Sequence, residues 1–151
     1  DGKTRSGTEK IYTFEEGRSP SRFVCCDDRL NGRALIEVNN PNSSKDELWV
    51  TDGTSEGTQF LRQLDFGTIA IAFDTSPEKT IFWASDDEYY MALWETDGTP
   101  EGTTRVNGIG SGILLYGGSI RTTGDEYGDA LMILGDSSIG VYELWKSDGT
   151  A

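Results

Sequence analysis

The chain has 151 residues and a net charge of −13, from 26 acidic side chains against 13 basic ones. That field repels polyanions, so nucleic acid and anionic membranes are excluded as expected partners. Histidine is absent, which removes an imidazole general base, a Ser-His-Asp triad and every His-ligated metal site. No apolar run approaches the ~20 residues that a membrane-spanning helix needs. The apolar share of 35%, with 19 glycines and 6 tyrosines, suits an all-β chain rich in turns.

In chain order, residues 1–8 read DGKTRSGT, a turn-like opening to which the later chain returns. There is neither an initiator Met nor a signal peptide, so the expectation is a mature chain or a fragment. Residues 22–27 and 34–39 read as strands. Cys25 and Cys26 fall on the first of them, where neighbours point to opposite faces and an ordinary mutual disulfide is disfavoured. Asn42-Ser43-Ser44, in a polar loop, matches a glycosylation sequon and makes Asn42 a candidate modification site.

Residues 48–58 then read LWVTDGTSEGT. The β-prone Leu48-Trp49-Val50-Thr51 runs into Asp52-Gly53, the pair that favours a tight turn. Gly57 is expected to take positive φ and return the chain antiparallel. The hydroxyls of Thr54 and Thr58 can hold loop backbone.

Residues 68–73 and 80–85 give two more strands, the second carrying Trp83. If exposed beside Asp86 and Tyr89, that indole would form a sugar-stacking patch; packing within the core is the expectation. Asp86 and Asp87 form an acidic loop cluster with Glu88. Residues 93–103, LWETDGTPEGT, differ from the earlier copy only at Glu95 and Pro100. They supply Trp94, Asp97 and Gly98. Strands follow at 113–120 and 130–134, separated by a second acidic cluster, Asp125 and Asp129 with Glu126. Either cluster is a candidate Ca²⁺ site, though neither has the ligand order of a calcium loop, and solvated loop charge is the expectation. LWKSDGT at 144–150 closes the chain with Trp145, Asp148 and Gly149. Pro20, Pro41, Pro77 and Pro100 are expected at strand ends or in loops.

The motif aspartates Asp1, Asp52, Asp97 and Asp148 are 51, 45 and 51 residues apart. A period near 45–50 is that of one four-stranded propeller blade. The expected fold is therefore all-β, a propeller-like array of about three four-stranded antiparallel blades within a larger ring or assembly. It is one segment, with repeats at about 1–51, 52–96 and 97–147 and a further motif beginning at 148–151. The recurring tryptophans are expected to pack between blades.

These units, with Glu47-Leu48-Trp49, Glu143-Leu144-Trp145 and three DGT triplets, resemble the ELWxxDGT repeat of large secreted and cell-surface proteins. Ala92 stands in place of the Glu in the middle copy, and Lys3 in place of the Thr in the first. The resemblance implies propeller-like blades, export to the cell surface or medium, and a role in surface structure or adhesion. It supplies no catalytic residue. The hairpin is also similar to the Asp-box of sialidase-type propellers, a structural turn remote from their active sites.

The functional expectation is an extracellular, non-enzymatic scaffold without a cofactor. The alternatives are a propeller module binding glycan, protein or Ca²⁺, and a glycoside hydrolase working through paired carboxylates. Residues 8–14 read as a fourth strand with no blade of their own, and three blades are fewer than a ring uses. Other copies of the chain, or further blades of a longer parent, are therefore the expected partners. Pairing of 8–14 with the 142–147 strand of another copy would give a ring or a filament.

Overall fold

The structure, a computed structural model, describes residues 9–25, 30–76, 78–85, 91–106, 120–123, 129–136 and 141–147. It is all-β, with two antiparallel sheets and no α-helix among the described residues. The first sheet runs in chain order through β1 (Ser19–Cys25), β2 (Ala34–Asn39), β3 (Lys45–Thr51), β4 (Gln59–Ser76), β5 (Lys79–Ser85), β6 (Met91–Thr96) and β7 (Thr104–Arg105). The second has the order β10-β9-β8, from β8 (Ile120–Thr123), β9 (Asp129–Asp136) and β10 (Val141–Ser147). A 3-10 turn, Leu30–Gly32, precedes β2.

Two expectations need correction. The first two units are not separate sheets, because the expected strand at 68–73 is part of the 18-residue β4. The start of β4 pairs with β3 and its remainder with β5. Between Asp65↔Ser85 and Ala70↔Trp83 the register breaks, five steps on β4 against two on β5. Residues 9–14, expected within a fourth strand at 8–14, belong to no strand, while Pro20 falls at the start of β1 as its second residue, opposite Val38. Among the described residues β1 pairs only with β2, an edge position of the kind where proline is tolerated. Pro77 and most of the expected 113–120 strand lie outside the described residues.

The seven-stranded sheet folds over on itself. Four inter-strand steps separate β2 from β6, roughly 19 Å in a flat sheet at ~4.8 Å each. Yet the guanidinium of Arg33, just before β2, donates to the carbonyl oxygen of Asp97, just after β6, at 2.6 Å. Leu35, Leu48 and Val50 of the first half thereby share one buried cluster with Phe82, Ala84 and Trp94 of the second. Each large side chain sealed there contributes about 1.5–3 kcal/mol. In the second half both faces are shut, since Ile81, Trp83 and Leu93 on the opposite side are also buried.

Candidate functional site

The repeated motif places two matching turns, each between the last two strands of a unit. In the first, β3 ends at Thr51 and β4 begins at Gln59. In the second, β6 ends at Thr96 and β7 begins at Thr104. Asp52-Gly53 therefore opens a seven-residue loop and is not a two-residue turn. Gly53 and Gly98 take φ of 86° and 81°, a region that costs an L side chain about 1–2 kcal/mol.

A threonine hydroxyl has one proton to give, and that fixes the direction of the hydrogen bonds. Thr58 Oγ1 donates to the Thr54 carbonyl at 2.6 Å. The 2.7 Å contact between the Thr51 and Thr58 hydroxyls must then have Thr51 as donor. Thr51 Oγ1 in turn accepts from the N–H of Gly53 at 3.1 Å. A second chain runs from the N–H of Gly57 to Thr54 Oγ1 at 2.9 Å and on to Asp52 Oδ1 at 2.7 Å. The N–H of Thr54 also donates to Asp52 Oδ1, at 2.9 Å.

The second turn repeats every one of these bonds. Gly98 donates to Thr96 at 3.0 Å, Thr96 meets Thr103 at 2.7 Å, and Thr103 donates to the Thr99 carbonyl at 2.6 Å. Gly102 donates to Thr99 Oγ1, whose hydroxyl and N–H both reach Asp97 Oδ1. Hydrogen bonds from Thr54 hold the Asp52 carboxyl below its ordinary value. Burial pushes Asp97 upward, but the bonds from Thr99 outweigh it and the net shift is also downward.

Gly57 and Gly102 are glycines for a different reason from the one expected. Neither has positive φ. A Cβ on either would overlap the carboxylate of Asp52 or Asp97, so the missing side chain makes room for the aspartate. Arg33 buttresses the second turn from the first unit, donating to the carbonyls of Leu30, Asp97 and Gly98.

The motif tryptophans sit in unlike surroundings. Trp94 is buried in the shared core, with the Arg62 guanidinium 4.7 Å from its ring centroid. Arg62 also donates to the carbonyl of Thr103 at 3.2 Å. Trp49 is half-buried on the outer face of the first unit, among Tyr12, Phe14 and Phe60 at centroid distances of 5.8, 5.1 and 6.0 Å. Its Nε1 donates to the buried Glu47 carboxylate at 2.9 Å. Asn40 and Arg18 donate to the same group at 2.7 and 3.0 Å. Burial raises the Glu47 carboxyl, but bonds from Arg18, Trp49 and Asn40 more than offset that, leaving it below its usual range. Ala92 occupies the corresponding place in the second copy, and there Trp94 Nε1 has no hydrogen-bond partner.

The remaining candidates divide by location. Trp83 is buried in β5, so the sugar-stacking reading of that indole is withdrawn. Asn42 is exposed on the turn between β2 and β3, its N–H bonded to Asn40 Oδ1 at 3.0 Å. Asp129 is the first residue of β9, opposite Thr123, rather than part of a loop. Asp86, Asp87, Asp125, Asp148, Gly149 and Cys26 lie outside the described residues, as do the side chains of Cys25, Asp129 and Trp145. Among the described residues no three Cys, Asp or Glu side chains converge as metal ligands.

The sequence reading passed over Thr51, Arg33 and the Glu47 cluster. A signal for the first was present: the position before each motif Asp carries a hydroxyl in all three copies, Thr51, Thr96 and Ser147. No protein-family model, curated protein or solved structure matches the chain.

Proposed function

We propose that the chain is a non-enzymatic repeat scaffold at the cell surface or in the extracellular medium, built from propeller-like four-stranded units. One observation carries the reading: the two motif turns have identical hydrogen-bond circuits, and those circuits bind the turn's own backbone. In both turns Oδ1 of the motif Asp takes the adjacent Thr N–H and hydroxyl, and that turn-holding role is sufficient reason for the Asp to recur. The folded-over sheet, with one unit's Leu face against the next unit's Trp face, supports propeller-like stacking. The resemblance to the ELWxxDGT repeat supports export.

The test is immunolabelling of intact, unpermeabilised cells of the source organism, with the culture medium assayed alongside. Label on the surface or in the medium is expected. Confinement of the chain to the cell interior overturns the reading.

A further inference from the structure

We propose that the chain binds a second copy of itself head to tail, the Leu144 face of one molecule seating on the Trp49 face of the next. This rests on the repeat-scaffold reading above and names its contact surface. Three features of the structure carry it.

The first is an inequality among motif leucines. Leu48 and Leu93 are 0% and 2% exposed, whereas Leu144, at the same position of the third copy, is 72% exposed. The second lies at the other end. The outer face of the first unit carries Phe23 at 62% and Phe60 at 41% exposure, flanking Trp49. Phe23, Ile36, Trp49 and Phe60 are register partners across β1 to β4, so they form one apolar stripe. Its ends, Phe23 and Phe60, are exposed, while Ile36 is buried and Trp49 half-buried; large apolar groups exposed on one face mark a contact surface.

The third feature is the interface already inside the molecule, which shows what fits on what. There the face bearing Leu48 and Val50 packs on the face bearing Trp94. The Leu144 face and the Trp49 face are the same pair of motif positions, with Lys146 standing where the first copy has Val50 and with Trp49 partly covered by Tyr12 and Phe14 of its own chain. Such a contact is heterologous, since each molecule presents one face of each kind.

Residues 9–14 extend the parallel. Counting from the last Thr of each motif, Tyr12 corresponds to Arg62 and Phe14 to Leu64. Arg62 lies over Trp94 while its own strand, β4, forms the outer strand of the preceding unit. Tyr12 and Phe14 lie over Trp49 in the same way, yet residues 9–14 belong to no strand. β10 pairs with β9, and no described strand lies on its other edge. β3 and β6 carry β4 and β7 on the corresponding edge, with Trp49 opposite Phe60 and Trp94 opposite Arg105. In the assembly, residues 9–14 of one copy add to β10 of its neighbour, with Lys10 opposite Trp145. Added strands of this kind are a common mode of association.

Sedimentation velocity of the 151-residue chain and two exposed-site variants, F60D and L144D, tests this from about 1 to about 100 µM. The wild-type weight-average mass is expected to rise at least about twofold with concentration, and each variant alone to stay monomeric. A head-to-tail contact makes a further demand: an equimolar mixture of F60D and L144D retains one intact pair of faces and forms a dimer that grows no further. Circular dichroism and melting curves matching wild type show that the variants are folded. A monomeric wild type across the range, the result expected if a longer parent chain supplies the neighbour, overturns the proposal. So does a mixture that fails to associate, or an L144D that dimerises alone by pairing Trp49 faces. None of these outcomes depends on where the protein resides in the cell, so the scaffold reading stands or falls separately.

Discussion

Replacing Gly57 by Ala separates two reasons for a glycine. Its φ is not positive, so backbone geometry alone makes Ala favourable, by about 0.4–1 kcal/mol through the unfolded chain. The opposing term is the overlap of the new methyl with the Asp52 carboxylate. To escape it, Asp52 must swing away and release the N–H and hydroxyl of Thr54, at 2.9 and 2.7 Å. Asp52 is exposed, so water replaces part of what is lost, and each bond is worth about 1 kcal/mol net. The sum is a destabilisation of about 1 kcal/mol. Urea titration followed by tryptophan fluorescence measures it, and a double-mutant cycle supplies the decisive sign. With Asp52→Ala already present the overlap is gone, and Gly57→Ala should then stabilise by about 0.4–1 kcal/mol. Gly53→Ala is the control: its φ of 86° with open space around it predicts a cost of about 1–2 kcal/mol that Asp52→Ala leaves unchanged. A Gly57→Ala that costs the same in both backgrounds, or costs nothing in the wild type, refutes the packing explanation.

Trp94→Ala, which empties a site in the shared core, should cost about 3–5 kcal/mol in the same titration. Trp49→Ala should cost distinctly less, because that ring is half-exposed; equal losses would show that the two environments do not differ as described. Glu47→Gln should cost about 1.5–3 kcal/mol near neutral pH by weakening the bonds from Arg18, Trp49 and Asn40. Because the folded-state pKa of Glu47 lies below its ordinary 4.5, its stabilisation is full above that value and is lost as pH falls through the folded pKa. The gap between wild type and Glu47→Gln in thermal melts should therefore close in acid; a gap independent of pH would mean that the carboxylate's charge is not what holds the cluster.

The strands and the motif turns were legible in the sequence because they are local. Alternation and Asp-Gly pairs act over a few neighbouring residues, and the motif recurs nearly unchanged at 48–58 and 93–103. What escaped was set by distant partners. Nothing near residue 33 announces that Arg33 will cap a turn 64 residues later, and nothing near Gly57 distinguishes a positive φ from room for a carboxylate. The fusion of two units through β4 was hidden for a related reason. Between the stretches that pair with β3 and β5 the sequence has no Pro, and its one Gly, Gly67, falls where a strand can bend as readily as stop.

Equal sequence did not produce equal surroundings. Leu48, Leu93 and Leu144 are the same residue in the same motif position, yet two are sealed and one is bare. Trp49 and Trp94 differ likewise, one under two aromatic rings from residues 9–14 and the other under a guanidinium from β4. Each of the two described motif turns is held chiefly by hydrogen bonds within eight residues, Thr51 to Thr58 or Thr96 to Thr103. The motif leaves open what covers its two faces. In a stacked array that second part is a nearest-neighbour term, supplied by whichever unit lies alongside. The middle unit is shut on both faces, with Phe82 and Trp94 buried on one side and Trp83 and Leu93 on the other. A repeat of this kind needs no ligand to account for its recurring residues. The aspartate, threonines and glycines make a turn rigid, and the Leu and Trp make two faces that fit one another.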